Sequence, residues 1–512
     1  MNSSSPGTAP YEIAPTPDYR KYIFLHRGSN ARDYRYGNPP IRVRPASSQE
    51  GTAYLAQPAF SSCTVPIIWY PMWLANLAHF FRDNAAKLYG VLRHTPWAEH
   101  AKFVLVTAEG HAAPGMNYDV LQPLTRQRVE TWADFSARLP SQQAPGGSGY
   151  QPAAWAVPSA IADSGLPLSF EGGPQRCFRS LFVCHDGVNI SSHGWPLHLM
   201  GQRLVEHYSG QVAELEESAA GGAARQTAAA AAAAAAAGQA EPQAPSPAAR
   251  LAAAQAAMQA AEAAALAATP DSPPLPGNSS SGSAEVLLRV VFHRRSSPDR
   301  QLVNATELIQ ACNGWRHTAP DGRRLRAVCW EAEPTDLLSG IAAAQAADVF
   351  VGVHGANMGN GWLMRPGSSM IELQPYGFDE GPAHLQYPLF NFEDAESQVL
   401  WWVISICDPA AWTPGKAEAA GQAATWRLAK NRNLIVSWRA LEVALRTAVD
   451  AGGDMAAYRQ QRWKQGKWWW WLGPGGTMQL AGKGRFTQMR CPPSMTGGDA
   501  SPAAGAAAEA AH

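Results

Sequence analysis

The chain has 512 residues, more than one ordinary domain holds, so we expect two or three domains. Its 41 lysines and arginines equal its 41 aspartates and glutamates, a balance that argues against nucleic acid or an anionic membrane surface as the partner. No stretch has the length and apolarity of a membrane-spanning helix, and residues 1–15 lack the pattern of a signal peptide. We therefore expect either a soluble protein or a chain whose anchor lies outside this sequence.

The seven cysteines include no Cys-x-x-Cys pair, so a zinc site is not expected. Because seven is odd, at least one thiol stays free even in an oxidising compartment. Cys312 and Cys329 flank an arginine-rich segment and could close a loop. Asn-x-Ser/Thr triplets such as those at Asn189, Asn278 and Asn304 are compatible with a secretory lumen without demonstrating it.

The N-terminal part of the chain predicts an α/β domain. Residues 1–18 are rich in serine and proline, which is typical of a disordered segment. Between residues 19 and 213, apolar runs that predict strands alternate with segments of helical periodicity. The predicted strands are residues 22–25, 65–70, 102–107 and 179–184.

An amphipathic helix is predicted after the second of these strands, because apolar residues from Ala78 to Leu92 recur at helical spacing. His79 and Asp83 are four residues apart and share one face of this helix. A carboxylate that orients an imidazole suits general-base chemistry, and either residue could accept the proton. The alternative is a buried pair that only holds the helix in place.

Residues 214–284 are dominated by Ala, Gly, Pro, Ser and Gln, which predicts an inserted, mostly solvated linker. A second α/β domain follows at residues 285–452, again with alternating strands and helices. Residues 453–512 are first tryptophan-rich and then of low complexity, which predicts a tail. Its tryptophans could form a sugar-stacking surface, although packing on the domain is their commoner role.

The second domain contains a compact strand, turn, helix, strand pattern at residues 348–375. The first strand is followed by His354, Gly355, Ala356 and Asn357, and the second strand contains Glu372. At such a turn, unpaired N–H groups and a small residue favour a phosphate, so we predict a site for a nucleotide diphosphate with His354 at its edge.

Each of these residues has a plainer alternative. His354 could be a structural histidine bonded to the backbone, and Asn357 could only cap the helix. Glu372 could hold ribose hydroxyls or form a salt bridge. Arg294, Arg295 and Arg300 follow another predicted strand and are candidate diphosphate clamps, because a guanidinium binds phosphate through two parallel hydrogen bonds; one or two of them could instead only cap or solvate a helix.

Three segments in this order resemble glycosyltransferase family 61. Residues 76–84, NLAHFFRDN, are similar to the family's N-x-x-H-F-x-x-D-N helix. Residues 292–308 are similar to three family elements in order: a strand followed by an arginine, an R-x-I-x-N segment and an E-L pair. Residues 351–373, VGVHGANMGN…MRPGSSMIEL, resemble its G-x-H-G-A, P-G-S and I-E signature. A weaker fourth similarity lies at residues 176–179, RCFR.

The resemblance implies a GT-B-like fold, with two Rossmann-like lobes and a cleft, here interrupted by the low-complexity insertion. It implies an inverting transferase that moves GlcNAc, xylose or arabinose from a UDP-sugar to a hydroxyl of a glycoprotein or polysaccharide. The absence of a D-x-D sequence fits metal independence, and no cofactor is expected.

The resemblance also implies a membrane anchor, which this sequence does not display, and work in the Golgi or endoplasmic reticulum lumen. His293 stands where the family commonly has serine. On this reading His79, Asp83 and His354 are catalytic. The donor-binding residues are Arg294, Arg295, Arg300, Gly355, Ala356, Asn357 and Glu372. The alternative is a non-catalytic glycan- or nucleotide-binding α/β protein.

Overall fold

The computed structural model describes residues 60–61, 65–69, 71, 74, 76–95, 101–105, 113–131, 177–178, 182–184, 196–220, 245–268, 285–481 and 489–496. One compact unit comprises Met1–Pro196 and Glu216–Pro247, and the other comprises Leu197–Leu215 and Ala248–His512. The predicted strand at residues 22–25 and the predicted disordered segment lie outside the described residues.

The first unit contains a four-stranded parallel sheet in the order β4-β3-β2-β6, beside the parallel pair β1 and β5. The predicted strands at 65–70 and 102–107 are confirmed as β2 and β3. Pro66 is tolerated because pairing with β6 begins only at Ile67. The strands are β1 (Phe60–Ser61), β2 (Val65–Trp69), β3 (Ala101–Leu105), β4 (Glu130–Thr131), β5 (Cys177–Phe178) and β6 (Phe182–Cys184).

The predicted helix near His79 is confirmed, but it contains a π-helical segment at Phe80–Ala85 between two α-helical parts. Phe80, Phe81 and Ala85 are buried, so this segment faces the core of the unit. The α-helices described in the unit are α1 (Leu77–His79), α2 (Ala86–Leu92) and α3 (Gly115–Leu121).

The second unit is built on an eight-stranded sheet in the order β16-β15-β12-β11-β10-β7-β9-β8. All neighbours from β9 to β15 are parallel, and β8 and β16 are antiparallel edges. The strands are β7 (Val286–His293), β8 (Arg316–Thr318), β9 (Arg324–Ala332), β10 (Val349–Val353), β11 (Ser369–Gln374), β12 (Leu400–Ile406), the separate antiparallel pair β13 (Trp412–Thr413) and β14 (Asn433–Leu434), then β15 (Trp469–Gly473) and β16 (Thr477–Leu480).

Helices cover this sheet, and every residue of β10, β11 and β12 is buried, as expected for parallel strands covered on both faces. The helices are α4 (Leu197–Ala220), α5 (Pro247–Ala268), α6 (Ala305–Asn313), α7 (Leu337–Ala346), α8 (Gln386–Glu393), α9 (Lys416–Ala419), α10 (Trp426–Ala429), α11 (Trp438–Asp450) and α12 (Met455–Gln465). A 3₁₀ helix, Ala356–Leu363, connects β10 to β11. None of the helices in the described ranges has the length and apolarity to cross a membrane.

The strand order changes direction at β7. The chain passes from β7 to β9 on one side and then crosses to β10 on the other side. In open α/β sheets, ligands bind outside the carboxyl ends of the two strands that flank such a switch point. The carboxyl ends of β7 and β10 are therefore where the fold itself predicts a site.

The tryptophan-rich segment is not a separate tail, as the sequence had suggested, but part of the sheet. β15 pairs with β12, and the side chains of Trp469 and Trp470 are 0% and 3% exposed. The packing interpretation of these tryptophans is thus confirmed over the sugar-stacking one. The strand pattern was hidden because both faces of β15 are covered, which removes the alternation of apolar and polar residues.

The structure also differs from the linker predicted at residues 214–284. Residues from 248 onward join the second unit, where α5 buries Leu251 completely. Arg250 pairs with Asp336 at 3.1 Å, and Glu262 pairs with Arg289 at 2.8 Å. These two ion pairs and the burial of Ala248, Leu251 and Ala265 dock a helix that the sequence had placed in a mostly solvated linker.

Two disulfides lie in the second unit. Cys312–Cys329 confirms the loop closure inferred from the sequence, and Cys407–Cys491 joins the end of β12 to the segment at residues 489–496. Both fit an oxidising compartment.

Helix α4 supplies a test of the packing. A Cβ on Gly201 would overlap the carbonyl oxygen of Trp362, whereas a Cβ on Gly210, in the same helix, would meet nothing within 4 Å. We expect Gly201→Ala to lower the free energy of unfolding by about 1–3 kcal/mol, because the backbone of residue 362 must move. Gly210→Ala should raise it by about 0.5–1 kcal/mol through helix propensity. Urea denaturation measures both, and equal effects would contradict the proposed packing of α4.

Candidate functional site

The loops after β7 and β10 begin side by side. Phe292 lies opposite Val351 in the parallel register, so His293 and the arginines after it neighbour the turn that starts at His354. The sequence predicted the arginines after β7 and the turn after β10 as separate phosphate-binding motifs, and the sheet brings both to the switch point.

Arg295 and Arg300 converge on Gly355. A Cβ on Gly355 would lie 2.5 Å from Nη1 of Arg300 and 2.7 Å from Nη1 of Arg295. Gly355 also has a φ of +155°, which residues with a side chain rarely adopt. Glycine is therefore required here for two reasons, and the lack of a side chain lets both guanidinium groups lie against its backbone.

The two arginines are incompletely satisfied. Nε and Nη1 of Arg295 are buried and have no hydrogen-bond acceptor among the described residues. Nε and Nη2 of Arg300 both donate to Oδ1 of Asn431, at 3.1 and 2.9 Å. Burial, and then the charge of Arg295, lower the pKa of Arg300 to about 10. Neither arginine forms an ion pair with a carboxylate in the part of the chain that the structure describes, so the pair presents positive charge for an anion.

Lys430 is a third cation that sequence reasoning missed. Burial, and then the charge of Arg300, lower its pKa, and the charge of Lys430 in turn contributes to the lowered pKa of His354. Its neighbour Asn431 holds Arg300 from 131 residues away in the chain. The sequence signal for Lys430 and Asn431 was the polar run KNRN, residues 430–433, directly before the apolar residues 434–436.

His354 is bonded to a buried carboxylate. Its Nδ1 lies 2.5 Å from Oε1 of Glu372, which also accepts a hydrogen bond from Gln374, and Trp401 donates to Oε2 at 2.8 Å. Glu372 has no exposed surface, so it acts on the site through His354 and offers no free edge to a ribose.

The protonation of His354 follows from these contacts. Burial lowers its pKa, although Glu372 opposes that effect, and the lowered pKa favours the neutral ring. Nδ1–H donates to Glu372, and Nε2 therefore carries a lone pair. Nε2 has no hydrogen bond to any residue that the structure describes. The rings of Phe378 and Tyr387 flank the imidazole at 4.3 and 5.4 Å between centroids.

Asn357 does not cap the 3₁₀ helix that begins at Ala356, since that helix has no side-chain cap. Its Nδ2 instead lies 2.7 Å from Nε2 of His293, the last residue of β7. The capping alternative is therefore wrong, and a contact between the two loops replaces it.

Arg294 is not brought to the other two arginines. Its side chain is 53% exposed, and its Nε donates to Glu333 at 2.8 Å. Of the three arginines predicted to bind phosphate, Arg294 thus forms a surface ion pair, whereas Arg295 and Arg300 lie at the switch point.

His79 and Asp83 form the predicted contact in the first unit, where Nδ1 lies 2.8 Å from Oδ2. Arg82 donates to both oxygens of Asp83, at 2.5 and 2.6 Å. Burial raises the pKa of Asp83, but the hydrogen bonds and charges of His79 and Arg82 outweigh it, and the net pKa is lowered. Asp83 is therefore an ionised group that orients the imidazole.

Within the described ranges, no group of three or more His, Cys, Asp and Glu residues is placed to hold a metal ion.

The buried carboxylate can be tested directly. Glu372→Gln keeps the shape but turns one acceptor oxygen into a donor, so the N–H of either Trp401 or His354 loses its acceptor. We expect the free energy of unfolding to fall by about 1–3 kcal/mol. Trp401→Phe is the control, because it removes one donor and leaves the carboxylate paired to His354. Its loss of hydrogen bonds should lower the free energy of unfolding by less. An unchanged urea midpoint for Glu372→Gln would contradict the network.

Comparison with known proteins agrees with the geometry. The Glycosyltransferase 61 family matches residues 78–371, more than half of the chain, and this range includes His79, Arg295, Arg300 and His354. No curated protein matches the chain. The chain belongs to glycosyltransferase family 61 and is a glycosyltransferase.

Proposed function

We propose that the second unit binds the diphosphate of a UDP-sugar between Arg295, Arg300 and Gly355, and that the chain transfers the sugar with inversion. The donor would carry GlcNAc, xylose or arabinose, and the acceptor would be a hydroxyl of a protein or polysaccharide. The observation that carries the proposal is the pair of guanidinium groups against the backbone of Gly355, at the switch point of the sheet.

Charge is the reason for this assignment. Bond breaking between sugar and diphosphate leaves negative charge on the departing UDP, and preorganised cations lower the energy of that transition state. Guanidinium groups suit this task because they bind phosphate oxygens through two hydrogen bonds at once. Lys430 adds a further positive charge, which in addition to burial helps to lower the pKa of His354. Together these groups can neutralise the leaving group without a metal.

His354 has a different role in this proposal. A neutral ring with a lone pair on Nε2 accepts a hydrogen bond, so it suits a sugar hydroxyl better than a phosphate oxygen, which has no proton to donate. We assign His354 to the transferred sugar and Glu372 to the position and tautomer of His354.

We assign the general base to His79. Asp83 is held ionised by Arg82 and His79, and a carboxylate with a lowered pKa is a weak base, whereas it orients an imidazole well. The reaction would take place in the Golgi or endoplasmic reticulum lumen, which the two disulfides and the usual secretory setting of the family support.

Binding of UDP tests the donor site. We expect Arg295→Ala and Arg300→Ala each to weaken UDP about tenfold or more in calorimetry, since a hydrogen bond to a charged group contributes about 1.5–3 kcal/mol. Arg294→Ala is the matched control, because Arg294 is engaged by Glu333. Uridine, which lacks phosphates, should bind all variants alike. A loss of UDP affinity in Arg294→Ala equal to that in Arg295→Ala would exclude this site.

Turnover tests the catalytic assignment. Incubation with a panel of UDP-sugars and glycan or glycoprotein acceptors, with detection of product by mass, should identify one donor. His79→Ala should lower kcat by about 10²–10⁴-fold while UDP affinity stays near wild type. Wild-type chain that binds UDP but forms no product with any donor would favour a non-catalytic binding protein, and undiminished turnover in His79→Ala would refute the base.

A further inference from the structure

His293 is a buried, neutral histidine at the end of β7. Its side chain is almost wholly enclosed, and burial, and then the charge of Arg295, lower its pKa to about 3. Nδ2 of Asn357 can only donate, so Nε2 of His293 is the acceptor in the 2.7 Å contact between them. The proton of the neutral ring is therefore on Nδ1.

Nδ1 of His293 is buried and has no acceptor among the described residues. The same holds for Nε and Nη1 of Arg295, two residues further along the chain. Buried donors without acceptors are rare in folded proteins and call for an explanation. Here three of them belong to His293, the last residue of β7, and to Arg295 in the loop after it.

His293 and Arg295 lie beside Gly352, in β10, and Gly355, in the turn that follows it. A Cβ on Gly352 would lie 2.4 Å from Cε of Met358 and 3.2 Å from Cβ of His293, and a Cβ on Gly355 would lie 2.7 Å from Nη1 of Arg295. The side chains of Met358 and His293 thus lie over Gly352, and the missing side chain of Gly355 lets the Arg295 guanidinium lie against the backbone.

We propose that His293 is a further donor-binding residue: its Nδ1–H and the Arg295 guanidinium together bind phosphate oxygens of the nucleotide-sugar, and Asn357 fixes the tautomer that makes this possible. The inference rests on the proposed function, since it assumes a nucleotide diphosphate at this site. His293 contributes an uncharged N–H beside two cations, so it adds a hydrogen bond without adding to their mutual repulsion.

Two amide substitutions separate this role from a structural one. The amide of asparagine falls near Nδ1 of the histidine that it replaces, and the longer glutamine places its amide near Nε2. His293→Asn should keep UDP affinity within about threefold of wild type, because it retains a donor at the position that faces the ligand. His293→Gln should weaken UDP by about tenfold, the size expected for one hydrogen bond to a charged group.

A purely structural His293 predicts the reverse order, since only glutamine keeps the contact with Asn357. The inference is overturned by that reverse order, by equal losses in both variants, or by no loss in either. Uridine affinity should be unchanged in both, which separates phosphate binding from general damage to the site.

Asn357→Leu provides a second measurement if the His293 variants do not fold. It leaves His293 in place but frees its tautomer, and UDP affinity should fall severalfold; an unchanged affinity overturns the inference. If wild-type chain binds no UDP, the proposed function fails. If wild type binds UDP and Arg295→Ala does not, but His293→Gln equals wild type, only the role of His293 fails.

Discussion

The structure of the candidate site depends on like charges held close together. Arg295 and Arg300 each place a guanidinium nitrogen within 2.7 Å of one point beside Gly355, and neither has a carboxylate partner among the described residues. The two charges repel, and although the charge of Asp299 opposes the effect, burial and then the charge of Arg295 lower the pKa of Arg300. The folded unit bears that repulsion because the sheet and its loops fix both side chains, and an anion between them would relieve it.

The loops that hold these charges come from distant parts of the chain. Arg300 has a φ of +62°, uncommon for a residue with a side chain, and it is fixed by hydrogen bonds to Asn431. Asn433 accepts from the backbone of Gln301, and Leu302 bridges to Leu434. Strained residues persist where the surroundings over-determine them, and they concentrate at functional sites. The conformation of Arg300 is consistent with that pattern.

Local motifs were sufficient to predict part of this site. The glycine after His354 and the four-residue spacing of His79 and Asp83 report on geometry within one turn or one helix, so sequence alone identifies them. The separation of Arg294 from Arg295 could not be predicted, because it depends on where β7 ends and on Glu333 in a neighbouring segment. Lys430 and Asn431 were missed because their role arises only when β14 is brought beside the Arg300 loop. The large parallel sheet is compatible with the expected GT-B-like fold.

The Cys407–Cys491 disulfide has a consequence for the histidine site. The backbone N–H of Cys491 donates to Asp379 at 2.6 Å, and Asp379 follows Phe378, whose ring contacts His354. The two cysteines of this disulfide are 84 residues apart in the chain. One hydrogen bond thus connects the disulfide to the residue that follows Phe378. Oxidation of this cysteine pair therefore tethers to the end of β12 the segment whose backbone binds Asp379, next to the ring that packs on His354.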